Sequence, residues 1–87
     1  MKHKTPNAET ILKTYQELYR RMRVDPTIRI IAEELGLEAE NHTSTIQSRL
    51  KQLVRSKKLA YLRPGTTKGR YVPPDNATAA RWLSEAK

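Results

Sequence analysis

Cysteine and phenylalanine are absent from the 87 residues, and only three glycines and one tryptophan occur. Without cysteine there is no disulfide staple and no thiolate for metal binding or nucleophilic attack, a composition that fits a reducing cytoplasm. With four tyrosines and one tryptophan as the only aromatics, the core has to be small and mostly aliphatic. No stretch approaches the roughly 18 consecutive apolar residues of a spanning helix. The opening MKHKTPNAET lacks the apolar middle of a secretory signal, so a soluble, unexported protein with no membrane partner is expected. Gly36, Gly65 and Gly69 form no phosphate-cradling pattern, and His3 and His42 are too few and too isolated for a metal site. Ser44 and Ser48 have no base in a local catalytic signature. The expectation is a protein that is not an enzyme and uses no cofactor.

The most telling absence is local. Residues 43–72, TSTIQSRLKQLVRSKKLAYLRPGTTKGRYV, carry eight Lys or Arg and no Asp or Glu, although the whole chain has nine acids. Residues 24–41, by contrast, hold five acids and one base, so the net charge of +8 is concentrated in the middle of the chain. A surface that serves only solubility mixes both signs. A face of one sign is suited to a polyanion. The length suffices for one small domain and leaves no room for a second core.

Periodicity organises the rest. Thr5 followed by Pro6 reads as a helix cap with proline at the first helical position. Ile11, Leu12, Tyr15, Leu18, Tyr19 and Met22 form the apolar stripe of this first helix, which Pro26 ends near Arg23. Thr27 caps a short second helix with Ile28, Ile31, Ala32 and Leu35 inward and Gly36 at its end; Ile30 lies off the stripe, its environment open. LEAENH reads as a polar connector. Thr43 then caps a third helix running to about Lys57, with Ile46, Leu50, Leu53 and Val54 inward. Ser44, Thr45, Ser48, Lys51, Gln52 and Arg55 project away from that stripe, with Gln47 and Arg49 on its flanks. LAYLR and GRYV around PGTTKG signal a hairpin with a basic tip. Asp75 or Asn76 caps a last helix through Ala86 that carries Ala79, Trp82, Leu83 and Ala86 along one side.

The order helix, short helix, turn, helix, hairpin is that of a winged helix-turn-helix. The fold class expected is therefore mainly α with a small β-hairpin: a basic tail over residues 1–4, the winged domain over 5–72 and an extra C-terminal helix over 73–87. In such a motif the third helix enters the DNA major groove with its N-terminal residues at the base edges. Lys51 and Arg55 on that helix, and Arg63, Lys68 and Arg70 on the wing, are the candidates for the phosphate backbone or minor groove, while Ser, Thr and Gln side chains read bases. The partner expected is double-stranded DNA, and the location the cytoplasm, at the nucleoid.

From Thr5 to Val72 the chain resembles the DNA-binding domain of the LexA repressor family. PTIRIIAEELGL is similar to that family's entry into its second helix, SRLKQLVRSKKLAYL to its third helix and first strand, and PGTTKGRYV to its wing. The resemblance implies a small prokaryotic or phage-type transcriptional regulator, with base contacts at Ser44, Thr45, Gln47 and Ser48 and wing contacts at Thr66, Thr67 and Lys68. Two departures stand beside it: the connector after Gly36 reads as a few residues longer, and Gln47 and Ser48 replace acidic residues, so the family's operator does not carry over. The family's self-cleaving, dimerising domain has no counterpart in these residues, and no autoproteolysis is expected.

Alternative functions are a winged-helix protein-interaction or replication-complex module without sequence readout, and RNA binding, for which Tyr61 and Tyr71 read instead as core or strand-pair residues. For Trp82 and Leu83 two readings stay open. They mediate a weak homodimer through the C-terminal helix, or they fold back on the first helix beside Tyr15 or Tyr19.

Overall fold

The computed structural model describes residues 7–62 and 69–85 of the chain. Within them are four helices and one hairpin: α1 (Ala8–Met22), α2 (Ile28–Glu34), α3 (Ala39–Arg55), β1 (Ala60–Leu62), β2 (Arg70–Val72) and α4 (Asn76–Ser84). The architecture is mainly helical with a two-stranded antiparallel sheet in the register Ala60 to Val72, Tyr61 to Tyr71 and Leu62 to Arg70.

Local chemistry explains most boundaries. Asn7 caps α1 by accepting from the Thr10 amide at 2.8 Å, Thr27 caps α2 through Ile30 at 3.2 Å, and Asp75 caps α4 through Thr78 at 2.7 Å. Each cap satisfies an amide that the helix itself leaves orphaned. The cap expected at Thr5 is thus corrected to Asn7, a stronger capping residue that sits directly before the apolar stripe; Thr5, Pro6 and Ala86 lie outside the described residues. At the other end of α1, Arg23 takes a left-handed conformation, φ 60°, and the chain turns into Pro26.

The C-terminus of α2 explains the largest departure from the sequence reading. Gly36, at φ 75°, lets its own amide reach the Glu33 carbonyl and the Leu37 amide reach the Ala32 carbonyl. This closes the helix within three residues. Leu37 packs against the core, and the chain is free to start α3 at Ala39. LEAENH is therefore mostly the first turn of α3 and not a connector, and Thr43 lies inside the helix instead of capping it. The helix also stops two residues earlier than expected, at Arg55, because Lys57 adopts φ 64° and closes it in the way Gly36 closes α2.

The core joins the four helices and β2. Ile11, Tyr15 and Leu18 from α1 meet Ile31 and Ala32 from α2, and Ile46, Leu50 and Leu53 from α3, with Leu59, Tyr71 and Trp82 closing the cluster. Ile30 is half-buried and packs against this cluster from its edge. Trp82 is 5% exposed and stands edge-on to both Tyr15 and Tyr19, with ring centroids 6.0 Å from each. Trp82 thus folds back onto α1 beside Tyr15 and Tyr19, as the second of the two readings has it, and Leu83 is half-buried. An ion pair from Arg20 to Glu85, 3.6 Å, lies along the same α1–α4 seam.

Candidate nucleic-acid interface

The direction in which α3 points its side chains follows from its buried stripe. Ile46, Leu50 and Leu53 are fully buried, so the helical period turns Ser44, Ser48, Lys51, Gln52 and Arg55 outward, where all five are exposed. Thr45, Gln47 and Arg49 are half-buried on the flanks. The projection made from the sequence holds except at Thr45, which was expected to face outward and is half-buried with the flanking residues; the position along the helix also changes. Because α3 begins at Ala39, Ser44, Thr45, Gln47 and Ser48 occupy its second and third turns, and the first turn belongs to Ala39 through His42. His42 places Nδ1 3.1 Å from the Glu38 carbonyl, a contact local to the helix start.

Gln47, Lys51 and Arg55 recur every four residues and so form one wall of a groove. The other wall is the hairpin. Together with Val54, Tyr61 and Tyr71 they enclose about 400 Å³ open to solvent. Gln47 lines the groove beside Tyr71, and burial, then the neighbouring Tyr61, push the Tyr71 phenol above its ordinary pKa. Lys51 and Arg55 take no part in the ion pairs found among the described residues, which are Arg20–Glu85, Arg21–Glu34 and Arg70–Asp25. The five acids of residues 24–41 help to explain this: Asp25 and Glu34 are engaged with arginines elsewhere in the chain. The Glu34 carboxyl is held below the usual carboxylate range by Arg21, whose guanidinium forks onto both its oxygens at 3.1 and 3.3 Å.

Arg70 also pairs within the chain. Its Nε lies 3.2 Å from Asp25 Oδ2, an aspartate only 15% exposed. This pair is one end of a network at the root of the hairpin. The Tyr15 hydroxyl donates to the Tyr71 carbonyl at 2.6 Å and lies 3.5 Å from Asp25 Oδ1. Burial, then the Asp25 charge, raise the Tyr15 phenol far above its normal pKa. Arg70, whose side chain stays 59% exposed, and Tyr15 thus tie the root of the hairpin to the helical core. Arg63, Thr66, Thr67 and Lys68 lie outside the described residues.

One residue of the groove was missed by the sequence reading. Tyr61 pairs with Tyr71 across the hairpin, ring centroids 5.0 Å apart, yet it is 49% exposed while Tyr71 is buried. The available signal was Gly69, diagonal to Tyr61 across the strands: a Cβ there would fall within the Tyr61 ring, so only glycine lets the ring lie over the backbone. Among the described residues no three His, Cys, Asp or Glu side chains converge on a common metal position, and no helix is long and apolar enough to cross a membrane. Comparison of the chain with protein-family models, with curated proteins and with solved structures gave no match; the reading of function rests on the residues themselves.

Proposed function

We propose that the chain binds double-stranded DNA as a winged helix-turn-helix module, with α3 in the major groove and the hairpin as the wing on the backbone or minor groove. The resemblance to the LexA repressor family supports a small transcriptional regulator as its setting. The observation that carries the reading is the outer face of α3. It sets the polar groups of Ser44, Ser48 and Gln47 beside the cations of Lys51 and Arg55, which pair with no carboxylate among the described residues. Phosphate contacts supply affinity and register, and side-chain amides and hydroxyls distinguish bases. Gln47 is suited to adenine, whose N6 and N7 an amide matches in the major groove.

Selection of bound duplexes from a random pool, followed by titration across salt concentrations, tests the proposal. If about five phosphates are neutralised, log K falls with log salt at a slope of about −4 to −5. A salt-independent affinity, or equal affinity for an acidic protein, overturns it. A second reading, a protein-interaction module, has one observation of its own: Leu62 and Val24 are exposed and bracket the Arg70–Asp25 pair, Leu62 opposite Arg70 in the strand register and Val24 next to Asp25. Under that reading Leu62→Ser removes binding to the partner, whereas under the DNA reading it leaves duplex affinity unchanged.

A further inference from the structure

Among the exposed large apolar side chains of the described residues, Tyr61 is the one aromatic. Its position is built and not incidental. The ring lies over Gly69, where any Cβ would collide with it, and its neighbour Tyr71 is tilted at 55° to it. The ring thus lies against the hairpin backbone and the Tyr71 ring, while half of it remains in water. The groove it lines supplies the other chemistry: the cations of Lys51 and Arg55 and the Gln47 amide, which carries both a carbonyl acceptor and an N–H donor.

In an intact duplex each base is stacked on both faces and presents only its edges to the grooves. A fixed aromatic face therefore has nothing to stack on unless a base has left the helix. An aromatic platform flanked by cations is the arrangement that takes an unstacked base together with its phosphates. The groove, at about 400 Å³, is large enough for one nucleotide and not for a base pair with its neighbours.

We infer that the groove between α3 and the hairpin receives a single unstacked base of otherwise duplex DNA, as at a bulge, a mismatch or a junction with a single strand. Tyr61 stacks on the base, Gln47 hydrogen-bonds its edge, and Lys51 and Arg55 hold the flanking phosphates. This rests on the DNA-binding reading above and narrows its substrate.

The test compares three short probes of one sequence by fluorescence anisotropy with the intact chain: fully paired, with one central unpaired nucleotide, and with that nucleotide made abasic. The bulged probe binds about tenfold tighter than the paired one, and the abasic probe loses that gain. Tyr61→Phe keeps the preference. Tyr61→Leu, which still covers Gly69 with an apolar side chain but offers no ring, abolishes it and leaves affinity for the paired probe unchanged. Unaltered Trp82 fluorescence and far-UV circular dichroism establish that the variant is folded; if Tyr61→Leu unfolds the chain, the loss of the preference with the abasic probe decides the matter alone. Equal affinity for paired and bulged probes, or a preference that survives in the abasic probe or in folded Tyr61→Leu, overturns the inference while DNA binding stands. Failure to bind any of the three probes overturns both.

Discussion

The two sides of the hairpin differ in what their polar groups find within the chain. At its root, Tyr15, Asp25, Arg70 and the Tyr71 carbonyl satisfy one another, and among the described residues no buried side-chain nitrogen or oxygen lacks a partner. On the groove side, Lys51 and Arg55 pair with no carboxylate among the described residues, and Tyr61 leaves half its surface in water. The root ties the hairpin to the helical core; the groove under the proposed reading is the side that meets DNA. A substitution at the root should therefore be felt in stability, and one in the groove in binding.

The largest effect is expected behind the root, at Trp82. Removing a buried aromatic that contacts both Tyr15 and Tyr19 costs about 3–5 kcal/mol, a large part of the total stability of a domain this small. Trp82→Ala should therefore be largely unfolded in mild urea, followed by far-UV circular dichroism. A loss below about 1 kcal/mol would make the indole a surface group and favour the weak homodimer, which sedimentation of the intact chain tests directly.

Tyr15→Phe sharpens the comparison at smaller scale. It leaves the ring packing and removes one buried hydrogen bond, for a loss of about 1 kcal/mol. The variant also changes the alkaline limb. The Tyr15 phenol is held neutral in the folded chain by burial and by Asp25, so its pKa is raised. The stability this confers is complete below the unfolded tyrosine pKa of about 10 and falls as pH rises beyond it. Urea midpoints measured above that pH should decline in the wild-type chain and decline less in Tyr15→Phe. An identical decline in both would move the alkaline sensitivity to another group.

How much of this was legible in the sequence depended on whether the deciding partner was near in the chain. Thr27 and Asp75 were readable as caps because the amides they serve lie three residues on, and Ile46, Leu50 and Leu53 because one helix repeats its own pattern. The start of α3 was misplaced because Thr43 is by local rules a better cap than Glu38; what overrides it is the closure of α2 at Gly36 and Leu37, which delivers the chain to Ala39 already turned. Arg70 looked like a free cation because Asp25 is distant in sequence. Tyr61 and Tyr71 sit opposite each other on one face of the strands, and only the placement of α3 against the hairpin decides which is buried.

On the groove side the expected sign reverses. Lys51→Ala with Arg55→Ala removes two exposed side chains and should change stability by no more than about 0.5 kcal/mol. In duplex binding it should flatten the salt slope by about 2, near 0.9 for each phosphate that is no longer neutralised. A double variant that keeps the wild-type slope would place the DNA elsewhere on the molecule, and one that unfolds would erase the distinction between the two sides.

The smallest effect concerns the helix that holds Trp82 in place. Asp75 accepts from the Thr78 amide, and that bond, with a smaller contribution from Arg81, lowers its carboxyl pKa. A lowered folded pKa means that the cap stabilises fully above the unfolded aspartate value of about 3.9 and is lost as pH falls through the folded one. Since α4 has only nine residues, losing its cap should loosen the seat of the indole before the rest of the fold responds. Trp82 fluorescence should therefore shift in acid ahead of the far-UV signal. Asp75→Asn retains a side-chain oxygen for Thr78 at every pH and should remove that early shift while leaving the spectrum at neutral pH unchanged. If the early shift persists in Asp75→Asn, the acid response originates outside the cap, and the seam formed by Arg20 and Glu85 becomes the next place to look.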